Sequence, residues 1–252
     1  MENIPIYERF KKGLSRRYRK YFEKQAVREL KKNSEFWKTI SDYIGKTGST
    51  GCSYADYLVL YNYIRTKKPK EVLECGTGTS TIVMAYGMLE NERESGTQGR
   101  ITSVEESEEW RDIAYTLLPD NLKKYVEILF SQKVEDCHAL FRGVRYEHIP
   151  DRQYEFVFID GPSTSAPSDK MKTFDFDFIR VVEKSNMPVS AIIDCRPSTC
   201  WALSHIFGKN KFYFDYKRNL GFLDSCSKDD LKTRQEILSN DFYKGIKGFF
   251  FQ

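Results

Sequence analysis

Residues Glu71 to Thr81 read E-V-L-E-C-G-T-G-T-S-T, and this stretch decides the fold. A charged lead-in, Lys67-Lys68-Pro69-Lys70, gives way to Val72 and Leu73, a short apolar run of the kind a buried strand makes. An acid, Glu74, follows, and then two glycines, Gly76 and Gly78. Glycine carries no Cβ, so the chain can turn sharply there and a ligand can lie against bare backbone. Thr79, Ser80 and Thr81 can cap a helix whose apolar residues Ile82, Val83, Ala85, Met88 and Leu89 follow directly. Strand, glycine turn and helix N-terminus form the arrangement with which a mononucleotide fold holds a nucleotide-like ligand.

Downstream, strands and helices alternate. Arg100 to Glu105 reads as a second strand, Glu108 to Leu118 as a helix closed by Pro119, and Val126 to Phe130 as a third strand. Glu155 to Asp160 is nearly all apolar, as a central strand covered on both faces should be. Met171, Phe174, Phe178, Val181 and Val182 mark the next helix, Val189 to Asp194 a fifth strand, and Trp201 to Phe207 another helix. Lys211 to Tyr216 and Leu220 to Leu223 form a pair joined by a tight turn at Lys217 to Asn219. The alternation predicts a doubly wound α/β fold, mostly parallel, with an antiparallel edge.

Upstream, Ile6, Phe10, Leu14, Tyr18, Phe22, Ala26 and Leu30 recur at helical spacing after Pro5, with Lys and Arg between them. Residues 1–50 hold thirteen Lys and Arg against six Asp and Glu, so the basic character of a chain of net charge +4 belongs to its front end. The division is therefore a basic helical extension over 1–50 and a catalytic body over 51–252. The basic helix has three readings: a stripe packed on the body or on a second subunit with its cations solvated, a helix on an anionic membrane surface, or a nucleic-acid contact. A homodimer is consistent with the first, and peripheral membrane contact through residues 6–32 with the second. The net-acidic body speaks against nucleic acid. Asn33 and Ser34 break the pattern before a short helix through Phe36, Trp37, Ile40 and Tyr43. Gly45-Lys46-Thr47 lacks the earlier glycine and the preceding strand of a phosphate-binding loop. A helix from Ser53, with Asp56 closing a capping box, leads to Ile64.

At 40% hydrophobic and 15% aromatic residues, the chain can bury a sizeable core and is not globally disordered. No apolar run has the length of a membrane span, the first residues lack a signal peptide's apolar centre, and the six cysteines include no C-x-x-C pair. These features predict reduced thiols and a cytoplasmic location, with attachment at the inner membrane face as the variant that the basic helix allows.

Ligands of open α/β sheets sit outside the carboxyl ends of the strands. Those ends read Glu74-Cys75-Gly76, Glu105-Glu106, Ser131-Gln132, Asp160-Gly161-Pro162 and Asp194-Cys195-Arg196, so acids recur where the crevice should be. Glu105 follows Gly76 at a spacing suited to a ribose diol once the polar insertion N-E-R-E-S-G-T-Q-G is allowed for. Thr81 stands where a dinucleotide site would have its third glycine, which tilts the choice away from NAD. Of the histidines His138, His148 and His205, the first sits nearest the crevice and is the candidate base beside Asp160. Tyr213 and Lys217 mimic a dehydrogenase pair but fall on a late strand.

Glu74-x-Gly76-x-Gly78, the acid Glu105 and the Asp160-Gly161-Pro162 strand end together resemble the class I S-adenosylmethionine-dependent methyltransferases, over roughly Ser53 to Leu223. The resemblance implies a seven-stranded sheet with a reversed final strand. It implies that Glu74, Gly76 and Gly78 border the methionine part of the cofactor, with Ser80 at the helix start beside them. Glu105 would take the ribose hydroxyls, Ser131 and Gln132 would flank the adenine, and Asp160 would lie near the sulfonium and the acceptor. Acids after the fourth and fifth strands are similar to those of catechol-type O-methyltransferases, making Asp160 and Asp194 candidate ligands of a divalent cation. That pattern continues with Asn, where this chain has Cys195, and a thiol suits Mg²⁺ poorly. The aromatic of the amino-methyltransferase signature is missing from Asp160-Gly161-Pro162-Ser163, which favours oxygen as the acceptor, on a small molecule or a glycan. The alternatives are an aminopropyl transferase or NAD-dependent oxidoreductase on the same fold, or a non-catalytic subunit docking through its basic helix.

Overall fold

Alternation of side chains along the buried strands builds two cores, one on each face of a central sheet. The computed structural model describes residues 6–48 and 51–232, of which 6–17 as backbone only. Pro5, the side chains of Phe10 and Leu14, and the chain beyond 232 lie outside the described residues. Three helices lead in: α1 (Ile6–Leu30), α2 (Ser34–Thr47) and α3 (Tyr54–Lys67). The body follows as β1 (Glu71–Cys75), α4 (Thr79–Ser95), β2 (Arg100–Glu105), α5 (Glu108–Leu117), β3 (Val126–Phe130), β4 (Lys133–His138), β5 (Phe141–Tyr146) and β6 (Phe156–Ile159). It closes with β7 (Phe174–Asp175), α6 (Asp177–Lys184), β8 (Val189–Asp194), α7 (Pro197–Phe207), β9 (Phe212–Asp215), β10 (Leu220–Cys226) and α8 (Lys228–Lys232).

The main sheet runs β3-β2-β1-β6-β8-β10-β9. All neighbours are parallel except β10, which is antiparallel to both β8 and β9. The reversed strand therefore lies one place in from the edge, and β9 forms the edge itself. Val72, Phe156, Phe158 and Ile192 face the core beneath α2, α3 and α4, where Phe36 stacks on Tyr86 at 4.5 Å between ring centres. Leu73, Val157, Ile159, Ala191 and Ile193 face the opposite core with Phe178, Val182 and Leu203. Both faces are covered, which is why these strands read as nearly continuous apolar runs. Phe36, Ile40 and Tyr43 of α2 lie in the same core as Ile82 and Tyr86 of α4, so the helical extension shares the interior of the body.

A second sheet, β4-β5-β7, was not expected from the sequence. Lys133 to His138 is polar and half exposed, so no apolar alternation marks it. Met171 and Phe174 carry helical spacing into Phe178, yet Phe174 pairs as a strand beside Gly143 and the helix starts at Asp177. The ring of Phe176 fills the space where a Cβ on Gly143 would sit, 2.3 Å away.

Glu23 fixes α1 to the body. Its two carboxylate oxygens accept the backbone N–H groups of Tyr54 and Ala55, each at 3.0 Å, at the N-terminus of α3. Ser53 and Asp56 complete that end as the expected capping box. Glu23→Ala should cost about 1 kcal/mol, as loss of a helix cap does, read as a lowered midpoint in urea denaturation with an unchanged slope.

Candidate functional site

The chain's strand order reverses between β1 and β6, and there two backbones meet. Gly76 has φ +93° and donates its N–H to the Val104 carbonyl at 2.8 Å. A Cβ on it would lie 3.0 Å from the Gly161 nitrogen and 3.1 Å from the Asp160 carbonyl carbon. Gly161 approaches in return, its Cβ position 2.8 Å from the Gly76 Cα. Both glycines are needed for this closeness. Gly78 is extended, at φ 170°, and its N–H donates to Thr81 Oγ1 at 3.0 Å.

Glu74 stands behind this turn, wholly buried. It accepts hydrogen bonds from Ser80 Oγ at 2.6 Å, Thr81 Oγ1 at 2.5 Å and Ser103 Oγ at 2.7 Å. The carboxylate thus locks the glycine loop, the helix start and β2 together, and Ser80 faces it. Burial pushes its pKa up to about 7, against the three hydroxyls that favour its charge. The folded state therefore holds this proton more tightly than the unfolded chain does. Stability from this residue is fully present below the unfolded pKa near 4.5 and declines as pH rises through about 7. Glu74→Gln should remove its share, on the order of 3 kcal/mol, from the loss of stability between pH 5 and pH 8. Denaturant midpoints of both proteins across that range measure it. Burial raises Asp175 in the same sense, so the slope should be reduced and not abolished.

Glu105, at the end of β2, accepts the N–H of Thr77 at 3.1 Å and that of Ser107 at 2.9 Å. Burial raises its pKa, partly offset by these two N–H groups. The Trp110 indole N–H reaches the Thr77 carbonyl at 2.9 Å, a wall the sequence reading missed. Ser131 lies next door, its N–H on the Glu105 carbonyl at 2.9 Å and its hydroxyl accepting the His148 N–H at 2.8 Å. Gln132 is exposed beside it, its carbonyl accepting the Glu147 N–H. Glu74, Gly76, Gly78, Ser80, Glu105, Ser131 and Gln132 are thus assembled around the β1, β2 and β3 ends.

Asp160 and Asp194 meet on the other side of the switch point, on the face covered by α3. Cys52 joins them, its thiol donating to Asp160 Oδ2 at 3.6 Å. Among the described residues these three place ligand atoms within 4.8 Å of one another. Nothing in sequence spacing marks Cys52, which is 108 residues from Asp160. Burial first, and then the neighbouring acids, push the Cys52 thiol well up. Burial and Asp160 push Asp194 up to about 7, and its Oδ1 is buried with no hydrogen-bond partner. Cys195 also stays a thiol, at about 11. Two carboxylates with thiols suit a hard ion such as Mg²⁺ poorly, so no chemistry is assigned to a metal here. Arg196, also missed, holds the backbone from beneath: its guanidinium donates to the carbonyls of Pro162, at 2.7 Å, and of Asp160.

His138 does not join this group. It pairs opposite Phe141 at the far end of β4, six residues and roughly 20 Å of strand from Gln132. Its neighbours Asp136 and Cys137 are held by Arg180 of α6. The sequence placed it near the crevice because the β4–β5 hairpin went unrecognised.

A cavity of about 320 Å³ opens beside the acids. Its floor is Cys52, Asp56 and Asp194, and its walls come from α1 and from the turn at Lys217 to Asn219.

A family described as a methyltransferase domain matches residues 73–181, from the middle of β1 into α6. The chain carries a methyltransferase domain. Its sheet order, with the reversed strand one place in from the edge, is the one that the resemblance to class I S-adenosylmethionine-dependent methyltransferases implies. At this junction Gly76 and Gly161 let the β1 and β6 ends pack backbone against backbone, with the Tyr146 hydroxyl filling the Cβ side of Gly161. Three solved structures are distantly similar to the methyltransferase domain and its flanks. A methyltransferase-like protein from Silicibacter pomeroyi is 13% identical, with a TM-score of 0.42, over 77% of this chain and 93% of that one. An SAH-bound methyltransferase from Podospora anserina is 11% identical, with a TM-score of 0.40, over 99% and 88%. A protein described as a class I S-adenosylmethionine-dependent methyltransferase from Listeria monocytogenes is 13% identical, with a TM-score of 0.43, over 78% and 69%. Likeness this distant adds nothing about residues or substrates. No curated protein sequence matches the chain. No helix among the described residues is long and apolar enough to cross a membrane.

Proposed function

We propose that the methyltransferase domain transfers the methyl group of S-adenosylmethionine to an oxygen of a small molecule or a glycan, entering through the cavity beneath α1. The observation that carries this is the meeting of Gly76 with Asp160-Gly161 at the switch point, with Glu105 on one side and Asp194 on the other. The cofactor supplies an electrophilic methyl carbon on a positively charged sulfur. Gly76 and Gly78 lie against its methionine part, while Glu74, Ser80 and Thr81 keep that loop in shape from behind. Glu105 binds the ribose hydroxyls through the lone pairs left free by Thr77 and Ser107. Ser131 and Gln132 flank the adenine.

Asp160 faces the sulfonium and the acceptor. Its pKa is raised by burial, with Arg196 opposing that rise, so it can take a proton from an acceptor hydroxyl as the new bond forms. Most of the rate comes from holding that oxygen near 3 Å, in line with the carbon–sulfur bond. The test is incubation with methyl-labelled S-adenosylmethionine and matched panels of hydroxyl and amine acceptors, reading label transfer and S-adenosylhomocysteine release. Label on hydroxyl compounds supports the reading, and label on amines alone overturns the choice of oxygen. The basic helix α1 acts here as a wall of the acceptor cavity. The division at residue 50 leaves this helix and α2 in the basic extension and the cofactor-binding elements in the body.

A further inference from the structure

Charge in the acceptor cavity is sorted by position. Its floor is acidic, with Asp56 and Asp194, while its mouth carries Arg19 and Lys20 from α1 and Lys217 from the turn between β9 and β10. The two elements are locked face to face. The Arg218 guanidinium lies 4.5 Å from the Phe22 ring centre, and the Lys217 ammonium lies 5.9 Å from that of Tyr18 and 6.0 Å from that of Phe22. Arg218 is already paired with Asp215 at 2.6 Å, and Glu23 is committed to capping α3. Arg19, Lys20 and Lys217 have no carboxylate partner among the described residues. Three cations with no carboxylate partner among the described residues thus converge on one mouth, above acids that would repel an anion reaching the floor.

We infer that the acceptor carries an anionic group, a phosphate or a carboxylate, held at the mouth by Arg19, Lys20 and Lys217 while its hydroxyl points down to Asp194 on the floor, beside which Asp160 lies. This rests on the reading of the cavity as the acceptor site. The sorted charges orient the molecule, since only one end of such an acceptor is welcome at each end of the cavity. At about 320 Å³ the space is at the small end for ligand sites, which suits an acceptor the size of a phosphorylated sugar or a hydroxy acid.

Inorganic phosphate is the probe. The full-length protein is acetylated with an amine-selective reagent in phosphate or in chloride of equal ionic strength, and modification of each lysine is followed by mass spectrometry. Phosphate should slow modification of Lys20 and Lys217 and leave the exposed Lys209 unchanged. Arg19→Gln should raise the half-protecting phosphate concentration about tenfold, the worth of one charge-assisted hydrogen bond. Equal modification in the two salts overturns the inference. Protection by phosphatidylglycerol vesicles without protection by phosphate also overturns it, and makes the rim a lipid contact. S-adenosylhomocysteine is titrated into the same samples. Cofactor binding without phosphate protection removes only the anion subsite, whereas protection without cofactor binding removes the methyltransferase reading.

Discussion

Replacing Gly76 with Ala should abolish measurable S-adenosylhomocysteine binding and lower stability by about 2–4 kcal/mol. Two independent penalties act at this residue. Its φ of +93° lies outside the regions an L side chain tolerates, so a methyl group strains the backbone. The new Cβ would also stand 3.0 Å from the Gly161 nitrogen and 3.1 Å from the Asp160 carbonyl carbon. Those are backbone atoms at the ends of two hydrogen-bonded strands, and no flexible side chain can swing aside. Relief requires β1 and β6 to separate, which moves the loop and Asp160 together. A displacement near 1 Å at such a site costs about a hundredfold in function. Gly78→Ala is the control: Gly78 is extended, so its effect on folding should be smaller. Calorimetric titration and urea denaturation of both variants give the comparison.

Asp160→Asn should separate the charged cofactor from its neutral product. A carboxylate beside a sulfonium attracts it, whereas the thioether of S-adenosylhomocysteine has no charge to attract. The variant should therefore bind S-adenosylmethionine about tenfold more weakly and S-adenosylhomocysteine nearly unchanged. Methyl transfer should fall by about a hundredfold or more, the usual worth of a positioned general base. The two readouts divide the residue's roles. Loss of affinity for both ligands alike would mean that Asp160 only shapes the cradle, through its carbonyl held by Arg196 and its closeness to Gly76. The pH profile adds a check, because burial raises this carboxyl above its ordinary range and the acidic limb of activity should vanish in the Asn variant.

Legibility of the molecule in its sequence follows how local each signal is. The strands Arg100–Glu105, Val126–Phe130 and Val189–Asp194 have the bounds read from the sequence. Val189–Asp194 is buried along nearly its whole length, whereas Val126–Phe130 lies at the sheet edge and is half exposed. The cap at Ser53 with Asp56 was readable because its partners lie three residues apart. The polar strand β4 was not, since its pairing with β5 is set by the hairpin and by Phe176 lying over Gly143. Helical spacing at Met171 and Phe174 misled because Met171 is exposed and Phe174 belongs to a two-residue strand. Within the site, Gly76, Glu105, Asp160 and Asp194 announced themselves as strand ends. Cys52, Arg196 and the Glu23 anchor come from distant segments, and only the folded chain brings them to the crevice. The same holds for the cations of α1, which the sequence could only describe as a basic face with three readings.

The central claim is that bare backbone at the β1 and β6 ends, beside Glu105 and Asp160, forms a berth for a sulfur nucleoside. Isothermal titration of S-adenosylhomocysteine into the full-length protein tests it most directly. A single site with a dissociation constant of about 1–100 μM is expected. It should weaken about tenfold in Glu105→Ala, with the loss of a charge-assisted hydrogen bond to the ribose. Flat heats at every concentration, in a protein that still unfolds cooperatively, would contradict the account.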